Sequence, residues 1–221
     1  MLQSPSAARN DAPDVRALTV GYRRVAGVDE AGRGPWAGPV VAAAVILRKA
    51  ILPVRIDDSK RLTSRQRETA YDVILRHAEV GVGIVCAEEI DQRNILQATL
   101  LAMQTAIHDL PSGADLILVD GTHTPDVATP CRALVRGDQR SYVIGCASIV
   151  AKVLRDRLMT FYHELYPDYA FHRHKGYGTV LHAQRLNQCG PSFLHRHSVA
   201  PVRVVMETCV QMPVPEAITV S

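Results

Sequence analysis

The stretch Arg24-Val25-Ala26-Gly27-Val28-Asp29-Glu30-Ala31-Gly32-Arg33-Gly34-Pro35-Trp36-Ala37-Gly38-Pro39-Val40-Val41-Ala42-Ala43-Ala44-Val45-Ile46-Leu47 decides the fold. It holds two β-rich runs, Arg24–Asp29 and Pro39–Leu47, joined by a segment with three glycines and a proline, and predicts a hairpin. Both runs contain consecutive apolar residues, so they belong well inside a sheet. The first run ends in adjacent carboxylates, Asp29 and Glu30. Such a pair is costly to bury unless it is paired or binds a metal; at a solvated strand end it is unremarkable. Neighbouring strand residues point to opposite faces, so spacing alone does not place both in one site. That would need the strand to turn or bulge.

Working outward, Thr63 and Gln66 form a capping box for a helix over Ser64–Ala78, with Ala70, Tyr71, Ile74, Leu75 and Ala78 at the helical period. Val80–Cys86 reads as a strand. Asp91 reads as the cap of a second helix with the stripe Leu96, Leu100, Met103 and Ile107. Leu116–Val119 is a buried strand closing in Asp120-Gly121, and Cys131–Val135 is another. A third helix, Tyr142–His163, is expected to bury Ala147, Ala151, Leu154, Leu158 and Phe161. Tyr166–Phe171 and the His/Gly-rich stretch to Ser198 read as loops with short helices. The first three strands are joined tightly enough to be antiparallel, which makes a mixed-sheet α/β domain with a helical C-terminal part. Residues 1–20 read as a flexible polar leader, 21–165 as the main domain, 166–211 as a helical and loop region, and 212–221 as a loose tail.

Composition limits the function. Among 221 residues, 25 Lys+Arg stand against 22 Asp+Glu, a net charge of +3, with 47% apolar residues. Disorder, collagen and coiled coil are excluded. So is a spanning helix, because the longest uncharged apolar stretch is Val40–Leu47 and a span needs about 20 residues. Five widely spaced cysteines without a C-x-x-C pair suit reduced thiols of a cytosolic protein, each read as a small core residue. So small a net charge does not demonstrate nucleic-acid binding; a local patch must do that.

Three further features join Asp29-Glu30. Asp120 closes a strand, where ligands bind in open α/β sheets, although a strand-end Asp is as often a turn former. Ser148, Lys152 and Asp156 are four apart and share a helix stripe. Asp156 is then either half of a surface pair with Lys152 or a further carboxylate aimed at the sheet end. Converging carboxylates repel unless a divalent ion neutralises them, and all-oxygen ligands favour Mg²⁺ or Mn²⁺ over zinc. His174-Lys175-Gly176-Tyr177-Gly178 offers a cation, flexible amides and an aromatic ring, suited to a phosphate and a sugar or base, or forms an ordinary turn with Tyr177 packed on the core. Competing motifs fail. Gly32-Arg33-Gly34 lacks the Lys-Ser/Thr of a phosphate loop, His163-Glu164 lacks the zincin partner, and Ser148 is not in a Gly-x-Ser-x-Gly elbow. His172/His174 and His195/His197 have no cysteine at finger spacing.

Together these residues resemble the type 2 ribonuclease H (ribonuclease HII) family. The likeness begins in Ala26–Pro35 and continues through Asp58-Ser59-Lys60, Asn94-Ile95-Leu96, Val119-Asp120-Gly121, Ala147–Asp156 and His174–Gly178, in order from about Arg24 to Val202. Two departures stand out: His195-Arg196-His197-Ser198-Val199 replaces the usual His-Arg-x-Ser-Phe, and the leader before Val20 has no counterpart.

The resemblance implies an RNase H-like mixed sheet flanked by helices, with 21–165 as the catalytic domain and 166–211 completing the substrate site. It implies endonucleolytic hydrolysis of RNA in RNA–DNA hybrids and of single ribonucleotides in duplex DNA, leaving 3′-hydroxyl and 5′-phosphate ends. Asp29, Glu30, Asp120 and Asp156 fall on its metal-binding carboxylates, and Gly32, Arg33, Gly34 and Tyr177 on its ribonucleotide-recognition positions. Two Mn²⁺ or Mg²⁺ ions roughly 4 Å apart would clamp the attacking water and the leaving 3′-oxygen, with Asp29 bridging them. Lys60, Arg136, Lys152 and Lys175 are candidate phosphate contacts. The expected protein is a cytoplasmic monomer whose partner is nucleic acid, without membrane contact. A binding module without catalysis, or a metal-dependent phosphatase or nucleotidyl transferase, are the alternatives.

Overall fold

A computed structural model describes residues 12–48 and 51–210. In chain order the elements are α1 (Pro13–Thr19), β1 (Val25–Ala31), β2 (Val40–Leu47), α2 (Ser64–His77), β3 (Ala78–Val85), α3 (Ala87–Arg93), α4 (Ile95–His108), β4 (Leu116–Asp120), β5 (Cys131–Leu134), α5 (Gly137–Arg140), α6 (Tyr142–Leu165), α7 (Phe171–His174), α8 (Val180–Cys189) and α9 (Ala200–Val210). The sheet order is β3-β2-β1-β4-β5. β1–β2 and β2–β3 pair antiparallel, β1–β4 and β4–β5 parallel. This is the expected mixed α/β sheet with its helical C-terminal part.

Helices cover both faces, which is why β1 and β2 read as continuous apolar runs. On one face, Ala26, Val28, Ala42 and Ala44 pack with Ala98, Ala102 and Ala106 of α4. On the other, Ala43 and Val45 meet Ala147, Val150 and Ala151 of α6 and Ile74 of α2. The contact with α4 is close: a Cβ at Gly83 would lie 2.0 Å from the Ala102 carbonyl oxygen, and one at Gly81 2.1 Å from that of Ala106. Gly27 makes the same close approach to Val143 of α6, at 2.3 Å.

Local signals set several boundaries. Thr63 Oγ1 accepts from the Gln66 amide at 3.3 Å, and Gln66 Oε1 accepts from the Thr63 amide at 2.9 Å. Other expectations need correction. Asp91 lies within α3, where its carboxylate accepts the His197 and Ser198 amides at 2.7 and 2.9 Å. Asn94 caps α4 instead, in left-handed backbone (φ 73°), its Oδ1 accepting from the Leu96 and Gln97 amides. On α6 the buried line runs Val143, Ala147, Ala151, Arg155, Met159; Leu154 and Leu158 are half-buried, and Phe161 is exposed. There the helix runs past the sheet and packs Met159 against Ala37, Phe171 and Leu194.

Residues read as a flexible leader include α1, whose Ala17 is buried against Val25, Leu116, Leu118 and Val143. Asp14 Oδ2 accepts from the Tyr142 amide at 2.9 Å and the Val143 amide at 3.4 Å, at the start of α6. A carboxylate satisfies the free amides of a helix N-terminus and meets its positive dipole end. Residues 1–11 and the tail from Met212 lie outside the described residues. Of the cysteines read as core residues, Cys146 is buried, Cys131 is half-buried, and Cys86 and Cys189 are exposed. Among the described residues, no helix is long and apolar enough to cross a membrane.

Candidate active site

The parallel register of β1 and β4 runs Val25↔Leu116 through Val28↔Val119, so the next residue on each strand is Asp29 and Asp120. Two carboxylates are thereby brought to one sheet edge, where ligands bind in open α/β sheets. No bulge occurs: β1 keeps regular pairing with β2 through Asp29↔Ala43, Glu30↔Ala42 and Ala31↔Val41. Asp29 and Glu30 leave opposite faces and interact at the strand end, where the Glu30 amide donates to Asp29 Oδ1 at 2.7 Å.

The edge is electrostatically unfavourable for anions. Burial, then the charges of Glu30 and Asp120, push the Asp29 carboxyl well above the usual carboxylate range, against a hydrogen bond from Ser148. Burial also raises Glu30, although Arg33 stands 3.2 Å away and opposes the shift. Glu30 Oε2 is buried with no hydrogen-bond partner. Such an atom costs about 1–3 kcal/mol, or more when charged.

A fourth carboxylate, missed in the sequence, joins this group. Past β5, Arg136 adopts left-handed backbone (φ 55°) and starts α5, and the Gly137 amide donates to Asp120 Oδ1 at 2.6 Å. The next residue is Asp138. Burial, then the charges of Asp120 and Asp58, raise its carboxyl, with Lys60 opposing. The available signal was that a Gly/Asp pair, Gly137-Asp138, follows β5 within four residues, as Asp120-Gly121 closes β4. Asp156 sits elsewhere. Ser148 meets Asp29, and Asp156 is eight residues further along α6, about 12 Å of helix axis at 1.5 Å per residue. There its carboxylate takes Lys152 Nζ at 2.7 Å and lies 4.0 Å from Arg67.

The basic candidates divide between two places. Lys60 and Arg136 are exposed beside Asp138. Lys152 pairs with Asp156 and stands 5.7 Å from the centre of the Tyr177 ring. Lys175 Nζ donates to Thr160 Oγ1 and to the His172 carbonyl, both at 2.8 Å, so its ammonium is already engaged.

Immediately after Glu30 the chain turns through Gly32-Arg33-Gly34, and Tyr177 lies beside that turn. A Cβ on Gly34 would stand 3.9 Å from Tyr177 Cε1, and the Tyr177 side chain is exposed rather than packed on the core. Two buried arginines, which sequence reasoning left unassigned, hold this region. Arg155 donates to the carbonyls of Pro39, Lys175 and Ala37 at 2.9, 3.0 and 3.2 Å. Arg196 donates to Gly38, Arg33 and Gly32 carbonyls, at 3.0 and 2.8, 2.9 and 2.5 Å respectively. Burial, then the Arg155 charge, lowers Arg196 to about 9, so it stays protonated at neutral pH.

Behind Tyr177 lies a stack of buried histidines. His182 Nδ1 faces the Tyr177 carbonyl at 3.0 Å, so it carries the proton and donates; His182 Nε2 then accepts from His195 Nε2 at 3.1 Å. That assignment agrees with His195 Nδ1 accepting from the Ser192 amide at 3.0 Å. Burial, then the neighbouring His174, lowers His182 to about 4; burial, then His182, lowers His195 to about 3. Both rings are neutral at neutral pH.

The acidic edge fits a hard divalent cation by its chemistry: all donors are oxygens, two carboxyls carry raised affinities for protons, and Glu30 Oε2 lacks a partner. Among the described residues, no three acidic, histidine or cysteine side chains form a finished cation cage as they stand. Charge coupling reaches further than coordination distance, so the group is gathered without being closed.

Comparison with known proteins agrees with this geometry. The family model for Ribonuclease HII matches residues 26–201. A Ribonuclease HII of Chlamydia muridarum (strain MoPn / Nigg) is 52% identical over 190 residues, covering 85% of this chain and 87% of the relative. The crystal structure of the ribonuclease H2 from Pyrococcus horikoshii OT3 superposes with a TM-score of 0.73 at 25% identity, over 86% of this chain and all (100%) of that one. Bst-RNase HIII in complex with Mn²⁺ has a TM-score of 0.66 at 16% identity, over 95% of this chain and 75% of that one, and shares the fold. With half its residues common to a named relative along most of both chains, on a shared RNase H-like fold, the chain belongs to the ribonuclease HII family and is a ribonuclease H, a hydrolytic nuclease.

Proposed function

We propose that the chain cleaves the RNA strand of RNA–DNA hybrids and cuts on the 5′ side of single ribonucleotides embedded in duplex DNA, leaving 3′-hydroxyl and 5′-phosphate ends. Asp29, Glu30, Asp120 and Asp138 would hold two divalent ions, Mn²⁺ or Mg²⁺, with Asp138 in the place the sequence pattern suggested for Asp156. The observation that carries this reading is the crowding of these four carboxyls at the ends of β1 and β4 and in the α5 turn after β5, beside the Gly32–Gly34 turn. Bound ions would neutralise the crowded charge, activate water and stabilise the leaving oxygen. Such a reaction needs no protein nucleophile.

The chain's own groups then have distinct tasks. Gly32–Gly34 and Tyr177 read the 2′-hydroxyl, the group that separates the two sugars, and Lys152 lies along the Tyr177 ring. Lys60 and Arg136 touch phosphates on the rim of the acidic edge, which positions a duplex without specifying its sequence. Residues 166–211 supply Tyr177 and so complete the substrate site laid out by residues 21–165. We take the working form to be a cytoplasmic monomer.

The test is incubation of three labelled duplexes, an all-RNA hybrid, a one-ribonucleotide duplex and an all-DNA duplex, with Mn²⁺, Mg²⁺ or EDTA. Cleavage of the first two, only with an ion, and ends that a ligase joins after refilling, is the expected result. Intact ribonucleotide-containing duplexes with both ions would overturn the reading.

A further inference from the structure

Arg155 and Arg196 are cations inside the protein whose hydrogen bonds go to backbone carbonyls, without a carboxylate among their hydrogen-bond partners. Placing a charge there is costly unless it is fully hydrogen-bonded, and each guanidinium meets this need with three carbonyls. Of the six residues whose carbonyls they bind, five, Gly32, Arg33, Ala37, Gly38 and Pro39, belong to the turn itself or to its return path within eight residues of Gly32; the sixth is Lys175. The fit leaves no slack: Gly32 has φ +103°, and a Cβ on it would lie 2.1 Å from Arg155 Nε.

A trans peptide is planar, with its C=O and N–H on opposite sides. When Arg196 draws the carbonyls of Gly32 and Arg33 inward, the amides of Arg33 and Gly34, in those same two peptide units, must point outward. Among the described residues neither amide has a partner. We propose that Arg196, with Arg155 beside it, is a positioning residue that sets the polarity of this turn, so that it presents N–H donors to the 2′-oxygen of a ribonucleotide. The inference rests on the reading of the turn as the sugar-facing element. Recognition on this side is then of an acceptor: the 2′-hydroxyl receives from Arg33 and Gly34, and its own proton goes elsewhere.

The direct test uses the metal-free, ¹⁵N-labelled full chain. Adding a one-ribonucleotide duplex moves the amide proton resonances of Arg33 and Gly34 downfield, while an all-DNA duplex of the same sequence does not. The second test is equilibrium binding of the same two duplexes by Arg196→Met and Arg196→Lys. Two net hydrogen bonds correspond to roughly a tenfold preference for the ribonucleotide. Arg196→Met brings that preference close to one while binding of all-DNA duplex changes less than about twofold; Arg196→Lys, which keeps the charge and fewer donors, falls between. A merely structural arginine would weaken both duplexes alike. If the parent discriminates and cleaves but neither amide moves, or a folded Arg196→Met keeps its preference, the clamp proposal fails and the functional reading stands. If the parent does not bind ribonucleotide-containing duplex at all, both fall.

Discussion

Acidification puts the buried histidine pair to a quantitative test. His182 and His195 have folded-state values of about 4 and about 3, against an ordinary 6.5. Their folded values are depressed, so between those values and 6.5 the unfolded chain binds more protons than the native one. The stability they contribute is therefore complete above about pH 6.5 and is lost as pH falls toward 4 and 3. At pH 5 each ring accounts for about 1.5 units at 1.4 kcal/mol per unit, about 2 kcal/mol, and the pair for about 4 kcal/mol. His174 shifts in the same direction. The raised carboxyls of Asp29, Glu30 and Asp138 act oppositely, because native carboxyls that take up protons early relieve their repulsion. A difference measurement removes that opposing contribution. Urea unfolding of the metal-free parent and of the double variant His182→Asn/His195→Gln, each at pH 7.5 and 5.0, isolates the pair. The parent should lose about 4 kcal/mol more than the variant over this interval, near 2 M in urea midpoint for a slope of about 2 kcal/mol/M. Equal losses in the two proteins would refute the assignment of two neutral, buried rings.

Three further outcomes follow from the site and the core. Asp138→Asn should cut the cleavage rate by about a thousandfold, the effect of several kcal/mol on the barrier, whereas Asp156→Asn should stay within about tenfold of the parent; single-turnover rates in Mn²⁺ decide between the two placements. Tyr177→Phe removes one hydroxyl and should lower the preference for a ribonucleotide junction over a continuous hybrid about fivefold, a loss near 1 kcal/mol, read from competition cleavage of the two duplexes. Gly83→Ala drives a methyl into the α4 backbone and should cost about 3 kcal/mol of stability, seen as a lower urea midpoint with an unchanged slope.

Much of the fold was legible because its signals are local. The capping box at Thr63, the glycine-rich hairpin after Asp29 and the apolar runs of β1 and β2 depend on neighbours within a few residues. Asp29, Glu30 and Asp120 could be singled out because strand ends are legible too. Asp138 could not be found on the stripe of α6, where the fourth carboxyl was sought; it stands in the short α5 that follows β5, and the pairing of β4 with β5 together with the Gly137 amide bond brings it to Asp120. Asp156 misled because residues four apart share a face, yet sharing a face with Ser148 still leaves two turns between them. The paired arginines were invisible for a different reason: arginine is mostly exposed, and their acceptors, the carbonyls of distant loops, carry no side-chain signature. Helix α1 was hidden by its brevity, since seven residues fold there only by docking on α6 and the sheet.

Ala31 alone separates Glu30 from Gly32, on a strand that pairs regularly to its last residue. On the proposed reading, the cutting end and the discriminating end of this protein are therefore welded into one short lever with no joint between them. Redesign toward another sugar cannot lengthen, shorten or loosen that lever without also displacing the carboxyl beside it, so changes of taste must come from outside it, through the side chains that face the turn from the C-terminal region.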